Sequence, residues 1–244
     1  MRHMDLTAEL VALCHREEVA TPHDPSMELL TDEDFADLAR RLSDSRQGED
    51  LWLFAYGSLI WKPEFETVEK RRATAFGWHR SFCLELHSWR GTPAQPGLMM
   101  ALERGGRCDG VVYRLPHGNI ERQIERLLRR EMTYRQNAGA VRWLPAATTA
   151  GPVRALGFWI GPTGERISSK LPLPAVAGIL ARACGHLGSG AEYLYKTVLH
   201  LEEFGIHDRN LWMLQRLVAE EIRMLHLAAQ HPAADQVAEL SALD

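Results

Sequence analysis

Residues 51–61 read LWLFAYGSLIW. The run Leu51–Ala55 is apolar without helical spacing, short, and rich in residues that suit a buried strand. It ends in Tyr56-Gly57-Ser58, two polar groups around a glycine, before Leu59-Ile60-Trp61 turns apolar again. The reading is a buried strand that delivers a polar turn. The segments TAFGWHRSFCLEL (74–86), GLMMALE (97–103), GVVYRL (110–115), VRWLPAAT (141–148) and VRALGFWI (153–160) are also short, rich in β-formers and bounded by glycine or proline. Such close spacing favours an antiparallel meander or small barrel over βαβ units.

Helical patterns surround this core. Helices are expected over 6–20 and 31–44, the second opened by the acidic run Thr31-Asp32-Glu33-Asp34. One helix interrupts the strands at about 119–132, and the chain turns helical again after 172. The expected organisation is a helical extension over 1–48, a main domain over 49–230 and a tail over 231–244. The fold class is α+β: a small mixed or antiparallel β-barrel with flanking helices.

Composition excludes several functions. The 244 residues carry 28 basic and 32 acidic side chains, interspersed, for a formal charge of −4, so nucleic acid is not an expected partner. No apolar run approaches a membrane span, and the first twenty residues lack a signal-peptide core, which together imply a cytoplasmic protein. Cys14, Cys83, Cys108 and Cys184 are widely separated, show no zinc spacing and are expected to be reduced thiols. The eleven histidines contain no H-x-x-x-H or H-E-x-x-H pair, so no metal is expected.

Four features carry chemistry. Gly57 lets the chain turn sharply and bring backbone N–H groups near a ligand, forming an anion-binding concavity to which Ser58 and Tyr56 add hydroxyls; the alternative is a plain strand-end turn. In NIERQIERLLRREM (119–132), Glu131 falls within about 60° of Ile120, Ile124, Leu127 and Leu128 on a helical wheel. A carboxylate on that apolar stripe loses hydration and becomes a stronger base; the alternative is a stripe-edge residue paired with an arginine such as Arg135. Ser189-x-x-Glu192 has the spacing of a capping box, with Tyr193 just beyond it. RGTPAQPG (90–97) is either an inert hairpin loop or a lid whose Arg90 reaches a substrate carboxylate.

FAYGSLIW, RRATAFGWHRSFCL, RGTPAQPGL, RREM and GSGAEYL follow one another in this chain. Together, over about residues 51–210, they resemble the ChaC family of γ-glutamylcyclotransferases. The resemblance implies a barrel of that type, neither metal nor organic cofactor, and cleavage of glutathione to 5-oxoproline and cysteinylglycine. It maps the substrate loop onto Tyr56, Gly57, Ser58 and Leu59, flanked by Ala55 and Ile60, and the catalytic glutamate onto Glu131. Tyr193 and Arg90 complete the expected substrate-binding set. Ala55 replaces a usual glycine, and Gly190 stands where asparagine is often found. Two alternatives remain: the same chemistry on other γ-glutamyl amines or peptides, or a non-enzymatic regulatory protein on the same fold.

Overall fold

In the computed structural model, Trp52–Ala55 forms β1, with all four residues buried. The structure describes residues 2–20, 22–23, 25–46, 48–161 and 171–230; the expected tail at 231–244 lies outside them. β1 is followed by β2 (Glu69–Leu86), β3 (Gly97–Arg114), β4 (Val141–Thr148) and β5 (Gly151–Phe158). These strands close into a barrel in the order β1-β3-β2-β4-β5. β1 runs antiparallel to β3, with Leu53 opposite Tyr113, and parallel to β5, with Trp52 opposite Ala155. That parallel pairing closes the sheet and makes the barrel mixed.

The segments expected as strands at 97–103 and 110–115 are one strand. Phe76 pairs with Arg107 and Trp78 with Arg104, so Gly105 and Gly106 are absorbed as a bulge opposite Gly77. Both glycines have positive φ, 106° and 70°, which costs nothing without a Cβ. The glycine pair bends the hairpin instead of ending it. Phe54, Leu53, Leu102, Leu144 and Leu156 are fully buried, each worth about 1.5–3 kcal/mol of transfer free energy.

The helices are α1 (Ala8–Ala12), α2 (Asp32–Ser45), α3 (Ser58–Trp61), α4 (Ile120–Glu131), α5 (Leu173–Arg182), α6 (Gly190–Glu203) and α7 (Arg209–Gln230). The expected helix at 6–20 shrinks to the five residues of α1, capped by Thr7. Beyond Cys14 its sequence offers no buried stripe, and Val19 is 90% exposed. α2 opens with a capping box between Thr31 and Asp34. Leu6, Phe35, Ala39 and Leu42 belong to the same buried cluster as the barrel residues, and the Leu6 N–H donates to Gln215 Oε1 of α7 at 2.8 Å.

The N-terminal segment is also stitched to the chain just after α4. Leu29 and Tyr134 form an antiparallel bridge. The Leu30 N–H donates to the Thr133 carbonyl at 3.0 Å, and the Arg135 N–H to the Glu28 carbonyl at 2.8 Å. Among the described residues, no helix is long and apolar enough to cross a membrane.

Candidate active site

β1 delivers Tyr56-Gly57 to the barrel rim, and the chain enters the single turn of α3 at Ser58. A Cβ on Gly57 would lie 2.7 Å from the Tyr193 hydroxyl, so close approach of that phenol requires glycine here. The Ser58 N–H donates to Tyr193 Oη at 3.3 Å. Behind the turn stands Arg80, buried at 5% exposure, whose Nη1 donates to the Tyr56 carbonyl at 2.7 Å. Its second amino group donates to the Asp109 carbonyl. Arg80 Nε lies 3.0 Å from Asp208 Oδ2, an ion pair without hydrogen-bond alignment. The peptide is trans and planar, so a carbonyl held by Arg80 turns the Gly57 N–H the opposite way.

Glu131 ends α4, and its side chain is 20% exposed. Burial pushes its pKa above the ordinary carboxylate range, Arg130 opposes the rise by charge and hydrogen bond, and the Glu64 charge adds to it. Arg130 donates to Glu131 but is divided, because it also bonds the Lys62 carbonyl and Glu64 Oε2. The partner is therefore Arg130 and not Arg135, which bonds Asp34 at 2.7 Å.

Tyr193 is buried in the first turns of α6. Its ring meets Trp61 and Phe82 edge-on, with centroids at 5.6 and 5.8 Å. Burial and the Glu131 charge push its phenol pKa up, so the hydroxyl stays protonated. Its oxygen already accepts from Ser58, which leaves the proton to donate.

Tyr56, Gly57, Ser58, Leu59, Glu131 and Tyr193 all line one cavity of about 460 Å³, within the size range of small-molecule sites. Ala55 and Ile60 are buried beside it without lining it. Arg90 is placed elsewhere. Its Nη1 donates to Glu192 Oε2 and to the Ser189 carbonyl, each at 2.9 Å, and its guanidinium stacks 5.3 Å from the Tyr193 ring centroid. It buttresses Tyr193 from behind, while Pro93 of the same loop reaches the cavity. The capping box at Ser189 is half made: Ser189 accepts from the Glu192 N–H at 3.0 Å, but the Glu192 carboxylate is taken by Arg90 and Lys196. A Cβ at Gly190 would sit 2.9 Å from Leu180, so this position serves helix packing.

The four cysteines are free and buried, and burial pushes the thiols of Cys14, Cys83 and Cys108 each up to about 11. These three are poor thiolate nucleophiles.

Arg80 and Arg130 are among the site residues that escape the sequence reading. Arg80 was detectable in principle, since Trp78, Arg80 and Phe82 alternate on the buried side of β2, and a charge at an inward strand position asks for partners. Arg130 had no such signal, because neighbours in a helix point about 100° apart.

The family model described as ChaC-like protein matches residues 51–221. The chain is 37% identical over 177 residues to the glutathione-specific gamma-glutamylcyclotransferase of Escherichia coli (strain K12), covering 72% of this chain and 76% of that one. It is 32% identical over 190 residues to gamma-glutamylcyclotransferase 2-1 of Arabidopsis thaliana, covering 72% and 88%. Among solved structures, a yeast gamma-glutamyl cyclotransferase specific to glutathione superposes with a TM-score of 0.63 at 21% identity, covering 71% of this chain and 97% of that one.

Proposed function

The chain belongs to the ChaC-like family, and from that membership and the cavity's geometry we propose that it cleaves glutathione to 5-oxoproline and cysteinylglycine. The observation that carries this reading is the shared cavity, whose wall holds a desolvated carboxylate, Glu131, together with the Tyr56–Leu59 turn and Tyr193.

The reaction needs little else. The nucleophile is the substrate's own α-amine, so proximity is largely built into the molecule. Glu131 takes a proton from the α-ammonium, the amine attacks the γ-carbonyl carbon, and a tetrahedral oxyanion forms. The Gly57 N–H, oriented through Arg80, and the Tyr193 hydroxyl are the donors for that oxyanion. Glu131 passes that proton to the departing cysteinyl nitrogen and, as the amide C–N bond breaks, takes the surplus proton from the ring nitrogen. 5-Oxoproline thus leaves as the neutral lactam, and the second proton goes on to the freed cysteinyl amine. The four free thiols suit a reducing cytoplasmic setting.

The test is to incubate the purified protein with glutathione and quantify 5-oxoproline and cysteinylglycine. Equimolar release is expected. Release of neither product overturns the reading, and release of 5-oxoproline only from other γ-glutamyl peptides would transfer it to them.

A further inference from the structure

The family match begins at residue 51, yet part of the cavity wall comes from before it. Pro22, His23, Pro25 and Met27 line the cavity alongside the catalytic turn and Glu131. They are held there by the bridge between Leu29 and Tyr134 and by the backbone bonds of Glu28 and Leu30 to Arg135 and Thr133. The segment is thus fixed to the residues that immediately follow Glu131.

Glutathione carries a second carboxylate, on its glycine. Among the described residues lining the cavity there is no lysine or arginine, and the acidic ones are Glu85 and Glu131. Arg90 is committed to Glu192 and does not line the cavity. The basic side chains in the wall are His23 and His87. His87 Nε2 already lies 2.6 Å from Glu85 Oε1 and is committed to that carboxylate. His23 Nδ1 instead lies 3.5 Å from Tyr134 Oη, with the rings edge-on at 6.0 Å between centroids. This pair offers an imidazole and a phenol together at the rim.

The distance is suitable. Tyr134 stands three positions beyond Glu131, about 10 Å along an extended chain, and the two residues of the leaving dipeptide span roughly 7 Å. A glycyl end directed from a γ-glutamyl head at Glu131 and the 56–59 turn toward the N-terminal segment would reach this pair.

We propose that His23 and Tyr134 form the subsite for the terminal carboxylate of the tripeptide, so that a segment outside the family-matched span sets selectivity for glutathione. This rests on the proposed γ-glutamyl chemistry. Because His23 is exposed, the contact is solvent-screened, and its removal should cost roughly three- to tenfold in KM and little in kcat.

The experiment measures kcat and KM for glutathione and for its glycine ethyl ester, in which an uncharged ester replaces the second carboxylate, in wild type, His23→Ala and Tyr134→Phe. Wild type should favour glutathione over the ester by roughly three- to tenfold in kcat/KM. In each variant that ratio should fall toward one, with the change in KM. A ratio that stays at the wild-type value in both variants, or a wild type that does not discriminate, overturns the subsite while leaving the 5-oxoproline assay standing for the activity. Absence of 5-oxoproline from both substrates in wild type overturns the activity and the subsite with it.

Discussion

Glu131 and Glu192 are two largely buried glutamates at helix ends, each bonded to an arginine, and their acidities move in opposite directions. Glu131 stands at the C-terminus of α4, where the helix dipole disfavours negative charge. Burial dominates there, and its one guanidinium is shared with Glu64 and the Lys62 carbonyl, so the pKa rises. Glu192 lies in the first turn of α6, where the dipole favours negative charge. Burial pulls its pKa up as well, but hydrogen bonds from Lys196 and Arg90 and their charges outweigh it, so the pKa is lowered. The number of cations decides the outcome, and the helix ends act in the same direction. In the proposed reaction the first glutamate exchanges a proton, while the second stays charged and ties Arg90 against Tyr193.

The largest expected effect comes from removing the proposed proton exchanger. Glu131→Gln keeps size and hydrogen bonding but removes the base, and kcat should fall about 10²- to 10⁴-fold with the thermal unfolding profile preserved. Glu192→Gln should not approach that loss in kcat. A folded Glu131→Gln protein with wild-type turnover would erase the distinction between the two residues.

A smaller effect belongs to the tie. Arg90→Ala removes both hydrogen bonds to Glu192 and Ser189, and should lower stability to urea by about 2 kcal/mol at neutral pH. Glu192 has a folded-state pKa below its unfolded value, so its stabilisation is present above the unfolded pKa and is lost as pH falls through the folded one. The difference between wild type and Arg90→Ala should therefore narrow in acid. KM for glutathione and for γ-glutamylcysteine should move together, since Arg90 does not line the cavity. A selective rise for glutathione would restore Arg90 as a substrate contact.

The two glutamates also mark how far the sequence is legible. The wheel singles out Glu131 because helical periodicity depends only on sequence spacing, and α4 spans Ile120–Glu131 as that spacing requires. The barrel's strands follow from alternation and turn residues, while the fusion across Gly105-Gly106 does not, since a glycine pair reads as a break unless the partner strand is known. Arg90 is misplaced for a related reason. A lone arginine at a loop's start looks available, and nothing in the spacing tells that Glu192, 102 positions later, will claim it. The cavity wall at residues 22–27 is invisible for the same cause: it is made by the long-range bridge between Leu29 and Tyr134.

The smallest expected effect sharpens the comparison through pH. The kcat/KM profile of the free enzyme should rise through the pKa of Glu131, because only the carboxylate accepts the ammonium proton. That pKa is raised by burial and held back by Arg130, so Arg130→Met, which removes the opposing charge, should move the acid limb to higher pH. Glu64→Gln should move it to lower pH, since it removes a like charge and releases Arg130 from competition. In the substrate complex, the bound ammonium favours the carboxylate, placing the acid limb of kcat below that of kcat/KM. The stability sign agrees. A glutamate with a raised folded-state pKa favours the native state more as pH falls through that pKa, so Arg130→Met should destabilise more at neutral pH than in acid. Profiles for wild type, Arg130→Met, Glu64→Gln and Glu192→Gln provide the check, with the last expected to leave the limb near its wild-type position. If the limb follows Glu192 and ignores Arg130 and Glu64, the proton exchanger and the tie have been assigned the wrong way round.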